Sequence, residues 1–121
     1  MRLNMNLDTF FTKLNNTPEK IEFTDTMAVI ENNYDFTETA FSNGSLHNKA
    51  GENSGSCKLF AFAQLQNLTP DQTLACFGAY YYEEVLKQPD EGNHQNIRHF
   101  MKSGWNGIKF NNAALILKSP H

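Results

Sequence analysis

Cysteine is scarce in this chain of 121 residues: Cys57 and Cys76 stand alone, with no Cys-x-x-Cys pair. That spacing excludes the usual structural zinc site and the disulfide-dense scaffold of small secreted domains. Two reduced core thiols in a cytoplasmic protein are the plain expectation. A basic stripe is missing as well, because 10 Lys and Arg face 13 Asp and Glu for a net charge of −3. Nucleic-acid binding needs a concentrated positive face, so neither DNA nor RNA is an expected partner. Long apolar runs are absent too. None approaches the roughly 18 residues that a membrane-spanning helix requires. The Asn-rich start after Met1-Arg2 also lacks the apolar core of a leader peptide. No membrane partner is expected, and a cytoplasmic product is. Neither Gly-x-x-x-x-Gly-Lys-Ser/Thr nor Gly-x-Gly-x-x-Gly occurs, which removes the standard nucleotide loops.

What is present is a core-forming composition. Apolar residues make up 40% of the chain and aromatics 12%, enough for a packed interior and too much for disorder. At this length residues 1–121 are expected to form a single domain burying about two-thirds of its unfolded surface. No internal repeat or linker interrupts it.

The most informative stretch runs from Asn48 through Gly51, Asn53, Gly55, Ser56 and Cys57 to Lys58, and then into Leu59-Phe60-Ala61-Phe62-Ala63. Polar and flexible residues give way abruptly to helix-forming apolar ones. Cys57 is therefore expected near the first turn of a helix, behind a Gly-rich loop. Backbone N–H groups at a helix start are unpaired and carry partial positive charge. Such a place stabilises a thiolate or binds an anion. The plainer reading is that Asn and Gly build tight turns that deliver the chain to a buried helix.

Local signals divide the rest. Asp8 can cap a short helix to about Asn15, with Phe10, Phe11 and Leu14 on its apolar stripe. Thr17-Pro18-Glu19 reads as a turn or a new helix start. Thr24-Asp25 opens a clearer helix to about Asn33 that buries Phe23, Met27 and Ile30. Tyr34 to Phe41 reads as a strand, Asn43-Gly44 as a turn, and Leu46-His47-Asn48 as the returning strand. Lys58 to Leu68 favours helix, capped by Ser56, with a buried strand as the competing reading. Thr69-Pro70-Asp71-Gln72 supplies a cap, a proline at the first helical position and a capping-box glutamine. Leu74, Phe77, Gly78, Tyr81 and Val85 then share one face of a helix that Lys87-Gln88-Pro89 ends. A mid-helix Gly78 costs about 1 kcal/mol against Ala, which makes sense where another backbone packs closely. Asn93 is the expected cap of a helix through Ser103 that buries Ile97, Phe100 and Met101, with Gly104 as terminator. Trp105 to Phe110, Asn111-Asn112 and Ala113 to Leu117 read as a closing hairpin. The expected class is α+β, predominantly helical, with a small antiparallel sheet that includes a C-terminal hairpin.

Several motifs in fixed order carry a resemblance. They are Phe41-Ser42-Asn43-Gly44, Asn48-x-Ala50-Gly51-x-Asn53-x-Gly55-Ser56-Cys57-Lys58, Thr73-Leu74-x-x-Phe77-Gly78-x-Tyr80-Tyr81, His94-Gln95-Asn96-Ile97-Arg98-x-Phe100-Met101 and Gly104-Trp105-x-Gly107-Ile108. From about Phe10 to Leu117 the chain resembles the HopJ type III effector family. The resemblance implies a bacterial protein made in the cytoplasm, with delivery into a host cell as the itinerary that the family name describes. It implies no catalytic residue and no cofactor.

Two chemical readings follow from the residues. In the first, the chain is a binding module for a host or bacterial protein or a small anionic ligand. Asn48, Gly51, Asn53, Gly55, Ser56, Lys58 and Arg98 would form its surface, with the face around His94. In the second, Cys57 is the nucleophile of a hydrolase or acyltransferase and His94 its base, oriented by Asn93 or Asn96. A metal site is disfavoured. His94 and His99 lie about 140° apart around a helix, and no cofactor is expected. Tyr80-Tyr81-Tyr82 spans about 200° of helix surface, so Tyr80 or Tyr82 should reach solvent or a partner while Tyr81 joins the core. Arg98 and Lys102, one turn apart, make a small basic patch or a solvated face.

Overall fold

The computed structural model of the chain describes residues 6–118. The start from Met1 to Met5, on which the expected lack of a leader partly rests, lies outside them. Helix α1, Leu7–Asn16, is opened by Asn6, whose side-chain oxygen accepts from the Thr9 N–H at 2.7 Å. Asp8 falls in the first turn instead of at the cap, where a carboxylate still complements the helix dipole. A 3₁₀ turn, Pro18–Lys20, leads to helix α2, Phe23–Asn33, which begins with a reciprocal capping box between Glu22 and Asp25. The Asp25 carboxylate also takes the Lys13 ammonium at 2.8 Å and so ties α2 to α1. Thr26, Val29 and Ile30 are the fully buried residues of α2. Phe23 and Met27 are only partly covered.

The expected strand over 34–41 is two strands. Strand β1, Tyr34–Phe36, and strand β2, Phe41–Asn43, belong to different sheets, so the chain between them must leave one plane for the other. There the Thr37 N–H donates to the Ala114 carbonyl and the Thr39 hydroxyl accepts from the Asn112 N–H. Strand β3, Leu46–Asn48, returns antiparallel to β2 through a two-residue turn in which Gly44 has φ +62°.

Helix α3, Ser54–Leu65, takes the centre of the molecule and buries Cys57 and every residue from Leu59 to Ala63. The strand alternative for this segment is thereby removed. Its N-cap is Asn53, in the left-handed region, and not Ser56. Phe60 sits at the middle of the aromatic core, with the rings of Phe41, Phe77, Phe100 and Trp105 5.0 to 6.4 Å away.

The capping box of Thr69 and Gln72 forms as expected and starts helix α4, Pro70–Ala75. The single long helix expected from there does not form. The chain breaks at Gly78 and resumes as helix α5, Ala79–Tyr82. Gly78 adopts φ +63° because the segment Ile21–Phe23 passes so close that a Cβ would lie 2.8 Å from the Phe23 nitrogen. Helix α6, Gln95–Ser103, is capped by His94, and Asn93 lies outside it. Gly104, at φ +58°, closes α6 and opens a 3₁₀ turn through Gly107.

Both C-terminal strands form, β4 at Ile108–Phe110 and β5 at Leu115–Leu117. Each is antiparallel to a partner from the N-terminal half, β4 with β2 and β5 with β1, rather than to the other. The expected closing hairpin is therefore corrected to a strand pair in separate sheets, for the same reason that β1 and β2 part. The buried apolar side chains form one cluster beneath α2, α3, α6 and the two sheets. No helix among the described residues is long and apolar enough to cross a membrane.

Candidate functional site

Helices α3 and α6 begin in the same unusual way. The residue before each, Asn53 (φ 51°, ψ 47°) and His94 (φ 53°, ψ 47°), is left-handed. Few side chains accept that conformation, Asn and His among the most tolerant. Neither residue folds its side chain back as a cap. The leading N–H groups of both helices therefore have no partner among the described residues, and each end carries the positive pole of its dipole.

Both helix starts open on one cleft of about 390 Å³. Asn53, Gly55 and Ser56 contribute one side and His94, Gln95, Asn96 and Ile97 the other. Leu46, Phe23, Phe77 and Tyr80 make the apolar wall. Phe23 stacks on Phe77 with centroids 6.3 Å apart, and the Tyr80 ring meets Phe23 nearly edge-on at 5.3 Å. The Tyr80 and His94 rings lie 5.2 Å apart. The imidazole is held from behind by Glu84, whose carboxylate accepts from Nε2 at 2.8 Å.

An asparagine network ties the two helix starts together. Asn48 Oδ1 accepts from Asn53 Nδ2 at 2.7 Å and from Asn96 Nδ2 at 3.0 Å, while Asn48 Nδ2 donates to Asn96 Oδ1 at 3.1 Å. Asn43 Nδ2 adds bonds to the Asn96 carbonyl and to Asn96 Oδ1. Asn43, Asn48 and Asn96 are all buried. Asn43 Oδ1 alone lacks a partner among the buried side-chain polar atoms of the described residues. A buried carboxamide costs free energy unless its donors and acceptors are used, so this cluster fixes spacing rather than adding apolar stability.

The residues singled out in the sequence divide sharply. Asn53, Gly55, Ser56 and His94 line the cleft, and Asn48 stands beneath it as the strut. Gly51, at φ +89°, serves the preceding turn against the Glu38 carboxylate. Lys58 turns away, its ammonium 3.6 Å from Glu31 and 4.9 Å from the Phe36 ring centre. Arg98 donates to the carbonyls of Glu84, Gln88, Pro89 and Asn93 and to Asn93 Oδ1, pinning the loop before α6. Gly51, Lys58 and Arg98 are therefore removed from the ligand surface of this cleft. Tyr80 is the tyrosine that reaches it, as the run of three suggested. Asn96, which the sequence offers as a partner of His94, lines the cleft, whereas Phe23, Phe77, Leu46 and Ile97 were not legible as site residues, since nothing in an apolar stripe says which member borders a cleft.

Cys57 does not join the cleft. It is 2% exposed, and its Sγ lies 3.9 Å from the Thr39 carbonyl, in the core. Its N–H is already spent on the Asn53 carbonyl, so it sits past the unpaired turn of α3. Burial pushes the thiol above its ordinary pKa against the weaker pull of the Lys58 charge. A protonated, sealed thiol is no nucleophile, and the expected Cys57/His94 pair is corrected on that ground. Among the described residues no group of three or more His, Cys, Asp or Glu side chains is placed to hold a metal ion.

The thiols give a test of the core. Burial raises Cys76 from an ordinary 9.0 to about 12, and Cys57 in the same direction. A raised folded-state pKa contributes stability that is complete below the unfolded-state value and lost as pH climbs toward the folded one. The urea midpoint is expected to hold to about pH 8 and fall steadily from about pH 9 upward, with a shallower fall in Cys76→Ala. Stability that rises over that range would mean that the fold favours a thiolate.

The family model described as HopJ type III effector protein matches residues 7–115 of the chain. A solved structure, described as the crystal structure of unknown function protein VPA0580, is 55% identical with a TM-score of 0.93. The match covers 96% of this chain and 97% of that one, so the two share their fold over almost their whole length. No curated protein matches the chain.

Proposed function

This chain belongs to the HopJ type III effector protein family, and we propose that it works as a binding module through the cleft between the starts of α3 and α6. The ligand is a small molecule or the end of a protein chain that joins an anionic group to an apolar, preferably aromatic, one. The observation that carries this reading is the meeting of two uncapped helix starts with an aromatic wall in one concave site. Binding sites are commonly concave and largely apolar, with a few convergent polar groups that set orientation. The N–H groups of the two first turns suit carboxylate or phosphate oxygens, and the rings of Phe23, Phe77 and Tyr80 suit a planar apolar body. On this reading the protein is made in the bacterial cytoplasm and delivered into a host cell, where a host protein or metabolite fills the cleft. A thiol enzyme has no support, because its nucleophile is buried.

Amide NMR titrations with benzoate, acetate and benzyl alcohol test the reading. Benzoate is expected to give saturable shifts at Ser54, Gly55, Ser56 and Gln95 to Ile97, with acetate and benzyl alcohol each weaker by about tenfold or more. Equal binding of benzyl alcohol would remove the anion from the proposal. No saturable shift at either helix start would remove the cleft.

A further inference from the structure

A second concavity, of about 330 Å³, lies on another side of α6. We infer that it docks an acidic amphipathic segment of a partner protein. One wall is the face of α6 that carries Arg98, Met101 and Lys102, and the other is the irregular chain of Val85, Leu86 and Pro89. Leu86 is 46% exposed and Met101 45%, although both are large apolar side chains. An aliphatic side chain inserted between them would cover both, and methionine adapts its shape to an incoming group.

Charge selects the occupant. Arg98 is fixed by five hydrogen bonds, yet every acceptor is a neutral oxygen, and it forms no ion pair among the described residues. Lys102 forms no ion pair among the described residues. His99 adds a third nitrogen base to the lining, and Glu91 is the single acid there. The groove is thus a positive, apolar-floored site on a chain whose net charge is −3. Fixed positive charge beside exposed apolar surface attracts a segment that alternates acidic and apolar residues, and repels a basic one. The surface is independent of the cleft proposed above, apart from Gln95, which borders both.

The test uses the whole chain, an acetylated and amidated peptide of repeated Leu-Glu-Glu-Leu units, and its Leu-Lys-Lys-Leu counterpart. The acidic peptide is expected to give saturable amide shifts confined to residues 85–91 and 98–102. Lys102→Glu should weaken it about fivefold, as reversal of one exposed charge does. Leu86→Asp should abolish it while benzoate shifts at the cleft persist. Absence of binding, equal binding of the basic peptide, or shifts that map elsewhere would overturn the inference. So would a concentration-dependent dimer in sedimentation that Leu86→Asp dissolves, since the occupant would then be a second copy.

Discussion

Asn48→Ala is expected to lower the stability of the protein by about 3 kcal/mol and to blunt ligand binding in the cleft. The carboxamide of Asn48 bonds Asn53 Nδ2, Asn96 Nδ2 and Asn96 Oδ1, and its Nδ2 also reaches the Phe41 carbonyl at 3.5 Å. Removing it leaves Asn96 Nδ2 with no partner in a buried site, and an orphaned buried donor costs about 1–3 kcal/mol. The void left by the side chain adds to that loss. Asn53 is exposed, and water can replace its missing acceptor, so its share of the cost is small. Asn43→Ala serves as the comparison. Asn43 donates to Asn96 but already carries an unpaired Oδ1, so its loss removes one unmet group, and Asn96 Oδ1 keeps its bond from Asn48 Nδ2. It is expected to cost less than Asn48→Ala. The measurement is the urea midpoint at constant slope, followed by benzoate titration of the folded variant. A loss under about 1 kcal/mol with unchanged benzoate affinity would show that the two helix starts keep their spacing without the strut.

The same network shows what could and could not be read from the sequence. Asn48 and Asn53 stood out because they lie in a polar stretch before an apolar helix, and that local contrast is visible in one dimension. Asn43 reads as a turn residue and Asn96 as a residue that orients His94, since nothing local marks a side chain that reaches across about 50 positions to its partner. Elements with strong punctuation formed as expected, the Thr69/Gln72 capping box and the Gly104 terminator, and the turn signalled at Asn43-Gly44 formed one residue on, at Gly44-Ser45, with Asn43 ending β2. The pairing of the two C-terminal strands did not form as expected, because Ile108–Phe110 and Leu115–Leu117 satisfy hairpin rules equally well in either arrangement. Tertiary packing against β1 and β2 decides between them. Cys57 takes the plainer of its two readings, a reduced core thiol, and only the nucleophile alternative fails. It shares a helical face with Phe60 and Ala61, spacing that already points inward. The unpaired turn of the helix start, which faces the cleft, is the one that Gly55 and Ser56 occupy.

Gly78→Ala is expected to destabilise the fold by about 3 kcal/mol or more, against the gain of about 1 kcal/mol that the same change brings inside an exposed helix. Two separate costs add. With φ +63° and ψ −134°, Gly78 holds the mirror image of an extended polyproline-like conformation, which is hostile to an L side chain. The added Cβ would also lie 2.8 Å from the Phe23 nitrogen and 3.0 Å from the Ile21 carbonyl oxygen. Both are backbone atoms, and no flexible side chain can swing aside. Relief requires the segment Ile21–Phe23 to retreat, but that segment is clamped by the Glu22/Asp25 capping box and by the Thr26 hydroxyl, which donates to the Cys76 carbonyl at 2.8 Å. Phe23 forms part of the aromatic wall, so any retreat widens the cleft and detaches its ring from Phe77 and Tyr80. The folded variant is accordingly expected to lose affinity for benzoate while acetate, which needs only the helix starts, binds as before. A variant within 1 kcal/mol of the parent chain that keeps its benzoate affinity would show the close approach at Gly78 to be dispensable to both fold and cleft.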